Sequence, residues 1–189
     1  MTRSLLIAGA AVAALSLAAC QKPAEQAAAP ADASAAAAPA PASPAMAAAD
    51  FVNAAASTDM FEIQEAKLAL KRSTNADIKK FADMMIADHT KSTAALKAAI
   101  ATANAGLAPP AALPTDMQAK VDALGKASAA DFDKTYIGQQ VDAHTTALGV
   151  MQGYAQNGDT PALKTFAAST ATVVQGHLDE ATRLQSAMK

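Results

Sequence analysis

The spacing of proline and turn-forming residues sets the tightest limit on how residues 50–189 can fold. Proline occurs in this part at Pro109, Pro110, Pro114 and Pro161, where helices would be interrupted or started. Between these points, apolar residues recur at helical spacing over stretches of about 23 to 28 residues. Stretches of this length, separated by short turns such as Ser-Thr-Asn, argue against a sheet. We therefore predict an all-α fold.

The turn signals predict four long helices, with a long connection between the second and the third. We place these helices at about residues 51–73, 76–104, 129–157 and from 161 onward. The connection, about 23 residues long, contains a short helix that Thr115 and Gln118 would open as a capping box. Helices of this length extend about 35 to 40 Å, so the connection can return along them as in ferritin-like four-helix bundles. An up-down-up-down bundle with a decorated loop is the alternative.

Residues 1–19 are typical of a lipoprotein signal peptide. Arg3 is positively charged, residues 5–19 carry no charge, and residues 17–20 read Leu-Ala-Ala-Cys, which resembles the bacterial lipobox. The resemblance implies that Cys20 is acylated and becomes the new N-terminus, whereas an ordinary secretory cleavage after residue 19 is the alternative. By resemblance to lipoprotein sorting, Gln21 favours the periplasmic side of the outer membrane. The lipid would then be the contact with the membrane.

Residues 20–49 join the lipidated cysteine to the domain. Positions 21–49 hold 16 Ala and 5 Pro, and repeated proline prevents a continuous helix. We predict a disordered Ala/Pro-rich tether here and a folded domain over residues 50–189.

Charge and cysteine content exclude several classes of function. The formal net charge is −2, which gives no clustered Lys and Arg surface for nucleic acid, so we expect no such partner. The single cysteine excludes a disulfide framework and a zinc site built from thiolates.

One polar residue lies at the centre of the apolar face of each predicted long helix. A step of 100° per residue places Glu62, His89, His144 and His177 at these centres. An unpaired ionised carboxylate in an apolar core costs more than the ~5 to 15 kcal/mol that stabilises a domain. Glu62 must therefore be hydrogen-bonded, metal-bound or protonated, and the register of the first two helices makes His89 its nearest candidate partner.

Two hypotheses explain this cluster, and a third gives it a catalytic role. In the first, it binds one transition metal ion, Fe, Zn or Cu, through nitrogen and oxygen ligands. In the second, it forms only a hydrogen-bonded network that fixes helix packing. In the third, it serves a metal-dependent redox or hydrolytic enzyme. The residues that could support the site are Tyr136, Gln140 and Glu180.

Several motifs in residues 50–188 resemble the domain of unknown function 4142 family. They are Phe51-Val52-x-x-Ala55, Met60-Phe61-Glu62-Ile63, Ile78-Lys79-Lys80-Phe81-Ala82-x-x-Met85-Ile86-x-Asp88-His89-Thr90, Phe132-Asp133-x-x-Tyr136-Ile137-x-x-Gln140-Val141-x-x-His144 and His177-Leu178. The resemblance implies a ferritin-like bundle in a bacterial outer-membrane or periplasmic protein, without a known substrate. The sequence departs from di-iron enzymes, because no glutamate lies three residues before a histidine.

Together, these features predict a lipid-anchored protein of the cell envelope with a binding or structural role. We do not expect an enzyme. The soft sulfur atoms of Met84, Met85 and Met151 would suit copper near the histidines, but methionine is more often a core filler.

Overall fold

A computed structural model of the chain describes residues 46–188. Within them, five helices and no strand are present, which confirms the predicted all-α fold. The predicted signal peptide, Cys20 and the tether up to residue 45 lie outside the described residues. None of the helices within residues 46–188 combines the length and the apolar character that a membrane-spanning segment needs. The helices are α1 (Ala48–Arg72), α2 (Ala76–Ala103), α3 (Thr115–Lys126), α4 (Phe132–Asn157) and α5 (Pro161–Ala187).

Local sequence explains where most of the long helices begin and end. The Asn75 side chain caps α2 by accepting hydrogen bonds from the backbone N–H groups of Asp77 and Ile78, at 2.9 and 3.4 Å. Asn104 ends α2 in the left-handed conformation, with φ of 49°. Pro161 lies in the first turn of α5, where its missing N–H breaks no helical hydrogen bond.

Two apolar clusters show the directions of the long helices. One cluster joins the end of α1 (Ala69) and the end of α5 (Leu184) to the starts of α2 (Ile78) and α4 (Phe132). The other cluster joins the starts of α1 and α5 to the ends of α2 and α4. Helices α1 and α5 therefore run one way, while α2 and α4 run the other.

This order requires the α2–α4 connection to return along the bundle. It differs from the up-down-up-down alternative, in which successive long helices alternate in direction. Each long helix packs against two others, in the cyclic order α1, α2, α5, α4. Helix α3 lies in the returning connection and packs against α1 and α4.

Helix α3 is held at its end by a distant arginine rather than by the predicted capping box. Thr115 is the first residue of the helix and makes no side-chain cap, and the Gln118 amide donates to Asp122 instead. At the other end, the Arg72 guanidinium donates to the carbonyl oxygens of Leu124, Gly125 and Ala127, at 2.9, 2.7 and 2.6 Å. The last residue of α1 thus satisfies carbonyl groups that the end of α3 leaves free.

Candidate metal centre

Three buried imidazole rings meet between the two apolar clusters. His89 of α2, His144 of α4 and His177 of α5 are 4%, 1% and 4% exposed. Their ring centroids are 5.7, 5.5 and 5.4 Å apart. One ring nitrogen from each lies within 4.8 Å of the other two. Three separate helices therefore bring the nitrogen atoms of a ligand set together.

Each ring has one nitrogen bonded to an oxygen acceptor. His89 Nδ1 lies 2.9 Å from Asp59 Oδ1, and His177 Nε2 lies 3.2 Å from Asp88 Oδ2. His144 Nδ1 lies 2.8 Å from the backbone carbonyl oxygen of Gln140. Because a carbonyl or an ionised carboxylate can only accept, the proton of a neutral ring belongs on the bonded nitrogen. The other nitrogen then carries a lone pair.

These other nitrogens are buried and have no hydrogen-bond partner. They are Nε2 of His89, Nε2 of His144 and Nδ1 of His177. Burial and the neighbouring His89 lower the pKa of His144 from 6.5 to about 3. Burial also lowers the pKa of His177, against the opposing effect of Asp88. His144 and His177 are therefore neutral at pH 7, which is the form that binds metals.

The ring spacing is compatible with a metal ion after a small contraction. Bonds of about 2.0 to 2.1 Å to a tetrahedral metal place ligand nitrogens roughly 3.3 Å apart. Nitrogens that lie within 4.8 Å of one another would need to approach by at most about 1.5 Å. The donor set, three imidazoles with oriented partners, is one that Zn, Cu, Fe and Ni accept.

Glu62 lies beside this centre, outside the group of converging nitrogens. Its carboxyl group is fully buried, and Oε1 lies 3.7 Å from His144 Nδ1, the nitrogen that already bonds Gln140. Burial, followed by the charge of Glu65, raises the pKa of Glu62 well above 4.5. The predicted pairing of Glu62 with His89 is wrong, because Asp59 on the same helix bonds that ring.

The three predicted supporting residues have different surroundings. The backbone of Gln140 accepts from His144, and its side chain donates to Glu65 Oε2 at 3.0 Å. Tyr136 is fully buried, and burial and the nearby Glu62 and Glu65 charges raise its pKa. Glu180 does not support the cluster as predicted, because its carboxylate bonds Arg183 at 2.7 and 2.8 Å.

Sequence reasoning missed three acidic residues at this level of the bundle: Asp59, Glu65 and Asp88. The register of α1 and α2 could have identified Asp59. If Glu62 lies opposite position 87, then His89 lies opposite position 60, only one residue from Asp59. Asp88 contacts α5, and no short loop between α2 and α5 sets a register for that pair.

A surface groove between α2 and α5 reaches the edge of the histidine cluster. It has a volume of about 530 Å³, and His177, Asp88, Met84 and Glu180 contribute to its lining. Met85 packs in one apolar cluster instead, as a core filler does. The groove gives the centre a route to solvent past His177.

Comparison with known proteins gives a family and a fold. The family model described as "Domain of unknown function (DUF4142)" matches residues 31–184. A solved structure described as "CopM in the Cu(II)-bound form" is similar, with a TM-score of 0.63 and 18% sequence identity, over 77% of this chain and 99% of that chain. At this identity, the likeness concerns the fold alone. No curated protein matches the chain.

Proposed function

The chain belongs to the DUF4142 family, and we propose that it binds one transition metal ion through His89, His144 and His177. Membership confirms the resemblance drawn from the sequence motifs, but the family description names no activity. The observation that carries the proposal is the set of three buried nitrogens without partners. A hydrogen-bonded network alone would leave all three lone pairs unsatisfied, whereas a metal ion would satisfy them together.

We propose copper(II) as the preferred ion. Imidazole suits copper, and copper(II) is bound most tightly among the divalent first-row metals. The carboxylates of Asp59 and Asp88, which bond His89 and His177, also place negative charge close to a bound cation. The similar CopM structure, described as Cu(II)-bound, supports this choice by analogy of fold. Zinc is the main competing ion.

We propose a binding role rather than a catalytic one. In the metal-bound protein, each of the three imidazoles would use one nitrogen for the metal and one for its oxygen partner. None of these rings would then be free to transfer a proton. A metal-dependent redox or hydrolytic enzyme is the alternative, and turnover by the loaded protein would distinguish it.

We also propose that the domain is a ferritin-like bundle, because its helices follow the order that such bundles use. We propose further that it is tethered to the periplasmic side of the outer membrane. The lipobox-like residues 17–20 support acylation of Cys20. Intact-mass analysis of membrane-extracted protein should show a lipidated cysteine. An unmodified Cys20 would contradict the anchor.

Metal analysis of the full chain tests the metal centre. Protein purified without a chelator or a His tag should carry about one copper or zinc ion per chain, and competition titration should favour copper(II). H89A, H144A and H177A should each weaken copper binding by at least about tenfold. Q175A, at an exposed position of α5, is the matched control and should bind normally.

Two results would overturn the proposal. One is a wild-type chain with no specific copper or zinc binding. The other is a set of histidine variants that fold normally, by circular dichroism, and bind copper as tightly as Q175A does. Nitrogen hyperfine coupling in the copper(II) EPR spectrum provides an independent count of the imidazole ligands.

A further inference from the structure

A second group of polar side chains lies between α1 and α4, next to the histidines. Glu62 and Glu65 are three residues apart on α1, and Tyr136 and Gln140 are four residues apart on α4. These spacings place each pair on one helix face. All four residues are 0% exposed. We call this group, Glu62, Glu65, Tyr136 and Gln140, the oxygen cluster.

The oxygen cluster contains five oxygen atoms without a hydrogen-bond partner: both carboxyl oxygens of Glu62, Oε1 of Glu65, the Tyr136 hydroxyl and Oε1 of Gln140. The contact that ties the two helices together is the 3.0 Å bond from the Gln140 amide to Glu65 Oε2. Buried polar atoms are normally satisfied, so these five orphaned oxygens require partners.

The four side chains lie within interaction range of one another. Burial raises the pKa of both Glu62 and Glu65, and the Gln140 amide opposes this effect at both carboxyl groups, so it lies near each of them. Burial, and then the charges of the same two carboxyl groups, raise the pKa of the Tyr136 hydroxyl. The Tyr136 hydroxyl and the Gln140 amide therefore both interact with the two carboxyl groups.

We propose that the oxygen cluster is a second cation site, which binds a hard divalent ion such as Mn²⁺. Carboxylate and carbonyl oxygens suit Mg²⁺, Ca²⁺ and Mn²⁺, whereas the histidine centre suits softer transition metals. Two ionised carboxylates balance the double charge of the ion, which makes the occupied site neutral in a low-dielectric interior.

The histidine centre does not require these carboxylates. It has Asp59 and Asp88 as its own partners. Glu62 Oε1 lies 3.7 Å from His144 Nδ1, and that nitrogen already bonds the backbone carbonyl oxygen of Gln140 at 2.8 Å. The two sites are adjacent and differ in ligand chemistry.

The two sites also lie near different grooves. A groove lined by residues of α1, α3 and α4 includes Asp116, Lys120 and Asp142, and Lys120 is close enough to lower the pKa of Glu65. The histidine centre instead meets the groove between α2 and α5.

The competing occupant of the oxygen cluster is a pair of protons. Protonated carboxyl groups could donate to the Gln140 carbonyl oxygen and to each other. Burial raises the pKa of Glu65 to about 8, so this form is available at neutral pH. Ion binding must displace these protons, and a direct titration with Mn²⁺ decides between the two occupants.

The test measures Mn²⁺ and copper(II) on the same full-length, metal-free chain. Loss of the free Mn²⁺ EPR signal should show one bound equivalent in the wild type, also when zinc occupies the histidine centre. The double variant E62Q/E65Q keeps the side-chain shape and removes both charges. It should weaken Mn²⁺ binding at least tenfold and keep the copper site. H89A should have the reverse effect.

Three outcomes would overturn the second site. They are a wild type that binds no Mn²⁺, unchanged Mn²⁺ affinity in E62Q/E65Q, and joint loss of Mn²⁺ and copper in H89A, which would indicate one shared site. If E62Q/E65Q does not fold, Y136F replaces it, since it removes one oxygen ligand and keeps both charges. A folded Y136F with unchanged Mn²⁺ affinity would also contradict the proposal. Failure of copper binding alone would instead contradict the function proposed for the histidines.

Discussion

At the scale of single residues, Asp59 and Asp88 each accept a hydrogen bond from a histidine, His89 and His177, but their surroundings differ. The Asp59 side chain is 5% exposed, whereas that of Asp88 is 28% exposed. Asp59 also accepts a hydrogen bond from Thr93, and Asp88 pairs with the exposed Lys91. Both aspartates fix the tautomer of a ring and make it a better ligand. Their effects on metal binding should differ, because water can replace the exposed partner more easily.

The substitution D59N should weaken copper binding about 10- to 100-fold, the usual effect of losing an outer-shell carboxylate. The isosteric D88N should weaken it less, since His177 can donate to water in the groove. Competition titration of both variants against the wild type checks this order. Equal effects, or no effect of D59N, would show that the buried pair does not tune the site.

The sequence locates the histidines and Gln140, but not the two aspartates that bond His89 and His177. Helical periodicity alone places His89, His144 and His177 on inward faces, and the structure brings them together. The partner of His89 depends on a register that turn positions give only to within one or two residues, so the sequence favours Glu62 where the structure has Asp59. The contact with Asp88 depends on packing between helices that are not linked by a short turn.

At the scale of elements, Arg72 links α1 to the connection that precedes α4. Besides its three bonds to carbonyl oxygens at the end of α3, its guanidinium lies 4.6 Å from the centroid of the Phe132 ring. Asn75 and Pro161 act on their own helices, so local rules predict them. The Arg72 contacts join residues more than 50 positions apart, and no local pattern encodes them.

R72A should lower the free energy of unfolding by about 1 to 3 kcal/mol, because it removes charged hydrogen bonds and a cation–π contact. R72K should be intermediate, since lysine keeps the charge but lacks the planar fork. Urea unfolding measures both, with K71A at the exposed neighbouring position as the control. A loss in R72A no larger than that in K71A would contradict this role.

At the scale of the whole molecule, a polar layer separates two apolar clusters. The clusters occupy the two ends of the bundle, while the histidines, their aspartates and Glu62, Glu65 and Gln140 lie between them. Tyr136, the fourth member of the oxygen cluster, packs in the apolar cluster that contains the end of α1. The sequence predicts a connection long enough to return along the bundle, but it leaves the up-down-up-down arrangement open. The separation of the core into three layers could not be predicted, because it depends on which polar residues meet after the helices pack. Metal binding and protonation in this middle layer should therefore change the free energy of unfolding of the whole domain.

Copper should stabilise the folded chain by binding it in preference to the unfolded one. At a free copper concentration 100 times Kd, the gain is about 2.7 kcal/mol, or roughly 5 to 11 °C in Tm for a domain of this size. Thermal unfolding with buffered copper measures this shift. H144A should lose most of the shift, and an equal shift in this variant would place the effect elsewhere on the chain.

The stability of the metal-free protein should pass through a maximum with pH. His144 has a folded pKa of about 3 against 6.5, so the unfolded chain binds more protons between these values and stability rises with pH. Glu65 has a folded pKa of about 8 against 4.5, so the folded chain binds more protons there and stability falls as pH rises. Each contributes a slope of about 1.4 kcal/mol per pH unit at most.

The two effects oppose each other between pH 4.5 and 6.5, which leaves the decline due to Glu65 visible between pH 6.5 and 8. Glu62, whose pKa is also raised, should steepen this decline. E65Q cannot ionise, so its free energy of unfolding should fall less than that of the wild type over the same interval. Urea unfolding at several pH values, with a chelator present, measures both proteins. A wild type whose stability is flat from pH 6.5 to 8 would mean that Glu65 is ionised in the folded bundle and has a cationic partner there.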